Sequence, residues 1–447
     1  MAIEINLILI GFIMFLGFIG EIIFKKTDIP TMIWLLLLGL LLGPIFGYLD
    51  QSTFLAVSEF FAAIAIIIIL FDGGINMDIS KIMKDAPLGG ELLLLSFLFS
   101  VAIVTAIMMV LSLFIPGITI LHGILLGAIV GGTSAAIVMP IIEKLKGISE
   151  KTKMILSIES AATDIFCIVV AIAVIQAMKI GSTDIVLIFK DIAANFSIGL
   201  VLGGVLGLFW IPIMRKLENE RFSYVTTFGI MFLIYAITQI LGGSGAIACL
   251  AFGIVLGNGK KILNIIGYHE QAYEVSEQSR SFHTLISFLI RTFFFVFLGL
   301  LVSIQDPMNI LIGILITAGL LLVRPFAIKI ITANKEEFKD IDKKIMGFMF
   351  PRGLAAAVLA YLPISQIPND PVLKSFADIV FTVILATAVI TTIGIIKTKK
   401  EEAETIENIE VKEKIQEEIM EQKIEKPKVE ESPLVKKERE KNGPQKT

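Results

Sequence analysis

Cysteine is nearly absent from this chain: two residues, Cys167 and Cys249, in 447. Both sit inside apolar runs, so neither a disulfide framework nor a cysteine metal motif is suggested. Histidine is scarce too. His122, His269 and His283 are scattered near loops and read as interfacial polar residues rather than metal ligands. Charged residues make up only 18% of the chain, and they are segregated, with the last fifty residues mostly charged. No basic region precedes the first apolar run, Ile5 to Phe24, so it reads as a span rather than a cleavable leader. No cofactor and no nucleic-acid partner is expected.

What fills the chain instead is apolar sequence. It is 55% hydrophobic, with mean hydropathy +0.86, and runs of about 20 apolar residues recur, each long enough to cross a lipid bilayer. About 13 spans are expected, near 5–24, 31–49, 54–71, 92–115, 118–142, 154–178, 193–214, 223–241, 244–257, 282–304, 308–331, 344–364 and 374–396. The positive-inside rule checks this count. With the tail cytoplasmic and the N-terminus outside, inner loops collect Lys25, Lys26, Lys81, Lys84, Lys144, Lys146, Lys151, Lys153, Arg215, Lys216, Arg221, Lys260, Lys261 and Arg280. Outer segments keep Lys179, Lys190 and Lys374. The expected fold is an all-α polytopic membrane protein with its transmembrane domain over 1–396. After it, 397–447 is a charged cytoplasmic tail, helical over 401–425 and disordered beyond.

The chain also repeats itself. Gly39-Leu-Leu-Leu-Gly43 recurs as Gly253-Ile-Val-Leu-Gly257, Phe71-Asp-Gly73 as Phe297-Leu-Gly299, and Ser134-Ala-Ala-Ile-Val as Leu354-Ala-Ala-Ala-Val. These matches carry spans 2, 3 and 5 onto 9, 10 and 12. An odd displacement reverses orientation, so an inverted repeat is expected, an architecture of secondary transporters. The fifth and twelfth spans each look interrupted, at Gly131-Gly-Thr-Ser-Ala-Ala and Phe350-Pro-Arg-Gly-Leu. Two broken helices facing each other at mid-membrane expose helix ends and carbonyls that can hold an ion.

One stretch organises the rest: Ser157-Ile-Glu-Ser-Ala-Ala-Thr-Asp164. At about 1.5 Å per residue, Asp164 lies roughly 15 Å into the sixth span, near the midplane of a ~30 Å hydrocarbon core. An aspartate there is costly and reads as a functional site. Ser160 shares its helix face and Thr163 borders it, whereas Glu159 points about 140° away. The two acids therefore do different jobs. Arg291, Arg324 and Arg352 also fall inside spans, and a buried arginine needs a partner. Arg291, near mid-span, suits a neutralising ion pair with Glu159. Arg324 sits at the lysine-rich end of its span, where snorkelling competes with a functional reading. Glu21, Glu59 and Asp72 lie nearer span ends and read as structural, Asp72 gaining some weight from Gly73-Gly74.

Taken together, Gly127–Pro140, Ile158–Asp164, Arg291–Gly299, Val323-Arg-Pro325 and Pro351-Arg-Gly353 resemble the cation:proton antiporter superfamily. The likeness is nearest to archaeal and bacterial sodium/proton antiporters of the NhaP type. It covers about residues 5–396 and not the tail. The resemblance implies that Asp164 binds Na⁺ or H⁺ alternately, that Ser160 and the broken fifth span near Thr133 help coordinate the ion, and that Glu159 and Arg291 form a structural pair. It also implies a homodimer. Two positions depart from the family: Thr133-Ser134-Ala135 stands where Thr-Asp-Pro is frequent, and Thr163-Asp164 where Asn-Asp is usual. Selectivity among Na⁺, Li⁺ and K⁺ is left open.

The expected function is exchange of Na⁺ for H⁺ across the cell membrane, with Asp164, Ser160, Thr133 and Thr163 as the ion site and Ser134 and Arg352 in the crossing helices. The expected exchange is electroneutral. K⁺/H⁺ exchange and sodium-coupled uptake of organic anions keep the same fold. An intramembrane aspartyl protease needs two facing aspartates, and Asp72 lacks the context of Asp164. A passive channel fits a repeat-centred single carboxylate less well than alternating access does.

Overall fold

Apolar surroundings leave a backbone few choices, because each N–H and C=O must find its partner within the protein. Accordingly, in a computed structural model of the chain, the regular elements among the described residues are all helices. The structure describes residues 2–27, 29–47, 51–77, 87–145, 147–180, 185–217, 223–265, 277–302, 306–333, 335 and 337–424. His269, the loop lysines at 81, 84 and 146, Arg221, the side chains of Lys25, Glu59 and Arg280, and the tail beyond 424 lie outside them.

In chain order the helices are α1 (Ala2–Thr27), α2 (Thr31–Leu40), α3 (Gln51–Asn76), α4 (Pro87–Leu111), α5 (Ile120–Ile129), α6 (Ala135–Lys144), α7 (Glu150–Ile180), α8 (Ile185–Leu217) and α9 (Ser223–Ile240). There follow α10 (Gly245–Gly257), α11 (Gly259–Ile265), α12 (Glu277–Leu301), α13 (Pro307–Thr332), α14 (Asp340–Phe348), α15 (Leu354–Gln366), α16 (Pro371–Lys374) and α17 (Phe376–Ile424). Among the described residues, six apolar segments are long enough to cross a membrane: α4, α7, α13, Ser281–Leu301 of α12, Lys190–Leu217 and Pro371–Glu401. Shorter apolar helices stand on the remaining runs read from the sequence. By contact the chain divides into two units, Met1–Thr398 and Lys399–Thr447.

Small residues set how the helices approach. A Cβ at Gly39 would collide with Val296 O of α12, and one at Gly299 with Leu36 O of α2. The same exchange recurs between α3 and α10: a Cβ at Gly74 would meet Leu250 O, and one at Gly253 would meet Phe71 O. The two copies of the Gly-x-x-x-Gly motif thus each pack against the helix carrying the other half's glycine. This reciprocity is the inverted repeat seen as packing. The register differs from the sequence match by one position, since Gly74 rather than Gly73 makes the close approach; a Cβ at Gly73 would lie in ordinary contact with Ile165 Cδ1, 3.5 Å away.

Two breaks complete the architecture. Between α5 and α6 the chain leaves helical geometry over 130–134, and between α14 and α15 over 349–353. Gly131 and Gly132 weaken the first, and Pro351 and Gly353 the second, as their low helix propensity requires. Most buried apolar residues form one cluster, including Leu36, Leu92, Val138, Ile168, Phe295, Ala357 and Val380. A smaller one, with Phe71, Met231, Cys249 and Phe252, lies among α3, α8, α9 and α10. Phe15, Phe209, Leu322 and Phe326 are exposed, as suits side chains facing lipid.

Bulk at a close approach should be costly where open space is not. Gly253→Leu and Gly299→Leu should each destabilise the protein by about 1–3 kcal/mol, read as a lowered Tm. Gly204→Ala, where a Cβ meets nothing within 4 Å, should leave Tm unchanged or slightly raised.

Candidate functional site

The site begins with helix ends that water cannot reach. The carbonyls that follow α5 have lost their helical partners, and Arg352, from the second break, supplies donors: its Nη1 reaches Gly131 O at 3.2 Å and Gly132 O at 2.5 Å. A cation at a helix C-terminus also opposes the helix dipole. In return Ser134 N–H, at the start of α6, donates to Pro351 O at 2.8 Å. Arg352 N–H donates to Thr387 Oγ1 of α17 at 3.1 Å. A Cβ at Gly353 would run into the Ser134 side chain, so the two breaks touch where only glycine fits. The structure therefore brings Ser134 and Arg352 together at one crossing, both buried.

Helix α7 lies along this crossing. Thr163, fully buried, accepts Thr133 N–H at 3.1 Å, and its own proton lies between Glu159 O at 2.9 Å and Thr133 O at 3.2 Å. Thr163 thereby pins the first break to α7. Thr133 Oγ1 donates to Glu159 Oε1 at 3.4 Å.

Glu159 does not pair with Arg291. Its partner is Arg324 of α13, in a two-pronged contact: Nη1 on Oε1, and Nη2 on Oε2 at 2.8 Å. The guanidinium is completed by Ser96 Oγ at 2.9 Å, Met346 O at 3.0 Å and Met349 O at 2.9 Å. Arg324 is 4% exposed and Glu159 0%, so the snorkelling reading of Arg324 is also set aside. Depth gives the reason. Glu159 is nine residues from one end of α7 and Arg324 eight from one end of α13, about 12–14 Å in each case. The guanidinium also answers a second need, because Met346 and Met349 lie where α14 ends and leave carbonyls free.

Asp164 is left apart from that pair. It is partly exposed, unlike the fully buried Glu159, Ser160 and Thr163. Its charge is felt by Arg291 and Arg352. Ser160, one turn earlier, turns its hydroxyl proton back to Ser157 O at 3.3 Å, which leaves oxygen lone pairs unspent. Arg291 answers to three carboxylates, Asp72, Glu21 and Asp164. A cleft lined by Glu21, Thr31, Ser134, Ile137, Arg291 and Thr292 runs up to the crossing. Asp72, on α3, accepts Asn76 Nδ2 at 3.1 Å, and its link to the crossing runs through Arg291.

Sequence reasoning missed Ser96 and Thr387, and gave Arg324 too little. A usable signal existed for Arg324: a broken helix needs donors for its freed carbonyls, and an intramembrane arginine nearby is a ready source. Two of the histidines are more enclosed than their places near loops suggest. His122 is 3% exposed and bonds Asp370 Oδ2 through Nε2 at 2.9 Å. His283 is likewise 3% exposed. Each is enclosed by helices the sequence does not reveal as neighbours.

Two broken helices crossing beside a carboxylate-bearing helix, within an inverted repeat, define an antiporter fold. Residues 11–398 match the family model described as "Sodium/hydrogen exchanger, transmembrane", and the chain belongs to that family. It is 27% identical over 384 residues to the K(+)/H(+) antiporter NhaP2 of Shewanella baltica, covering 82% of this chain and 61% of that one. The chain thus spans about three-fifths of that relative's length. It is 26% identical over 380 residues to the probable Na(+)/H(+) antiporter 2 of Methanocaldococcus jannaschii, covering 80% and 86%. Among solved structures, the sodium proton antiporter MjNhaP1 of M. jannaschii at pH 8 superposes with a TM-score of 0.70 at 22% identity, over 88% of this chain and 97% of that one. That likeness is one of fold.

The pairing yields a test. Glu159→Ala and Arg324→Ala should each cost about 3–5 kcal/mol by stranding a buried charge, with the double variant losing much less than the sum. In the matching cycle Glu159→Ala and Arg291→Ala should add. Thermal unfolding of the six proteins, wild type included, checks both.

Proposed function

We propose that this chain exchanges a monovalent cation, Na⁺ in the first reading, for H⁺ across the cell membrane, by competition at Asp164. One observation carries the reading: of the two adjoining carboxylates on α7, Glu159 is held by Arg324 and spent, while Asp164 is partly open beside the crossing. A carboxylate can hold a cation or a proton, and each displaces the other. Ser160 Oγ and oxygens of the first break near Thr133 supply further hard ligands of the kind Na⁺ prefers. Thr163 serves by fixing the break, since its hydroxyl is already engaged on both sides.

Alternating access follows from the repeat. Each half contributes one broken helix to the crossing, and rocking of one bundle against the other opens the site first to one side, then to the other. Asp164 returns carrying the other ion. Because both oxygens of Glu159 are taken by Arg324, Asp164 alone changes occupant, one H⁺ for one cation, and the cycle moves no net charge. The distribution of Lys and Arg in the sequence supports a cytoplasmic C-terminal tail and an N-terminus outside, and the resemblance to NhaP-type antiporters supports a homodimer. K⁺/H⁺ exchange is the second reading, favoured by the name of the Shewanella relative.

Purified protein in sealed liposomes with an imposed pH difference, offered Na⁺, Li⁺ and K⁺ separately, tests the reading. Na⁺ should collapse the gradient, and Asp164→Asn should abolish the response in a protein that still folds. An imposed membrane potential alone should accumulate no Na⁺. Exchange surviving in Asp164→Asn would remove the proposal, and accumulation driven by potential would remove its stoichiometry.

A further inference from the structure

Helix α13 divides its side chains between two surroundings. Arg324, Ala327, Ile328 and Ile331 are buried, while Leu322, Phe326 and Ile330 are exposed. On the exposed side a groove lies between α13 and α4, lined by Phe99, Val323, Phe326, Lys329, Ile330 and Ala333. No polar atom faces it, so Lys329 lines it with its carbon stem. From Val323 to Ala333 the groove runs about 15 Å along the helix, half of a ~30 Å hydrocarbon core and hence one leaflet deep. Lys329 lies in the last turn of α13, where a lysine stem covers apolar surface while its ammonium reaches the headgroup level. Among the described residues this ammonium has no hydrogen bond or ion pair. Other lysines of the same lysine-rich end are engaged: Lys151 by Glu337, Lys153 by Glu150 and Lys335 by Ile331 O.

We propose that this groove is a binding site for one anionic phospholipid, with an acyl chain along Phe99, Val323, Phe326 and Ile330 and the phosphate held by Lys329. The occupant follows from the two parts of the site. A carbon-walled slot one leaflet deep takes a hydrocarbon chain, and an unpaired cation at headgroup level takes a negative charge. Apolar exposure alone would be covered by any lipid; the cation selects the anionic one. The position of the lipid also gives it a task. Phe99 lies one turn beyond Ser96 on α4, and Val323 adjoins Arg324 on α13. On the buried side of that same seam Arg324 Nη1 donates to Ser96 Oγ at 2.9 Å and joins the two helices. A chain seated on the outer side braces α4 against α13 where Arg324 holds Glu159 and the carbonyls of Met346 and Met349.

The test counts bound lipid and needs no transport, so its failure would leave the antiport reading standing. The purified full chain, stripped of lipid in detergent, is titrated with phosphatidylglycerol and with phosphatidylcholine of the same acyl chains. Retained lipid is counted by native mass spectrometry. Phosphatidylglycerol should be held more tightly, and Lys329→Gln should lose about fivefold of that preference, the worth of one lysine near an anionic headgroup. Ala333→Phe, which adds a ring at an exposed position of the wall, should weaken retention of phosphatidylglycerol as well. Equal retention of the two lipids by the unmutated chain, or a Lys329→Gln variant that keeps the whole preference, overturns the site. Glycerol phosphate carries the charge without the chain and should fail to compete; competition by it would assign Lys329 to free phosphate and overturn the lipid. Ala333→Cys reads the other occupant, since the two native cysteines are buried. Chains that couple to one another there on oxidation would give the groove to a second copy and overturn the proposal. The bracing role is read from Tm. Phosphatidylglycerol should raise the Tm of the unmutated chain more than that of Lys329→Gln, and equal shifts overturn that role.

Discussion

Everything near the centre of this molecule depends on guanidinium groups satisfying carbonyls where two helices break. In apolar surroundings a freed carbonyl costs several kcal/mol, so a broken helix survives only if donors are built in. Arg352 serves the end of the first broken helix and Arg324 the end of the second. Each arginine arrives from a different segment than the one it caps, Arg352 from the second break and Arg324 from α13. The breaks are thereby cross-linked to α13, to α7 and to each other, and Thr163 adds the last tie from α7 to the first break.

The same arrangement assigns the charges. Glu159 is engaged by Arg324 through both carboxylate oxygens. Arg352 spends its side-chain bonds on the backbone carbonyls of Gly131 and Gly132 and lies in the electrostatic reach of Asp164. Arg291 is divided among Asp72, Glu21 and Asp164. Asp164 thus lies in the field of two guanidinium groups without being locked by either, which fits the exchange proposed for it. Glycine packing at α2–α12 and α3–α10 supplies the rigid frame against which such a site can move.

Much of this was legible in the residues. Periodicity of 3.6 separated Glu159 from Asp164 before any neighbour was known, and the two glycine-interrupted spans announced the crossing. The repeated Gly-x-x-x-Gly motif announced the inverted packing, one position out of register for Gly74. What the residues could not tell was which helices lie side by side. Arg291 and Arg324 are both intramembrane arginines, and choosing Glu159's partner required the depth of each and the position of free carbonyls on α14. His283 misled for the same reason: its proximity to a helix end says nothing of Phe228, which comes from another helix.

The central claim, that a cation and a proton compete for Asp164, is tested most directly by counting protons released on binding. Purified protein in weakly buffered detergent solution is titrated with Na⁺ while pH is followed, and the heat of binding is measured in two buffers of different ionisation enthalpy. The account predicts close to one proton released per Na⁺ bound when Asp164 begins protonated, falling toward zero as pH rises. Saturable Na⁺ binding with no proton released at any pH would contradict it.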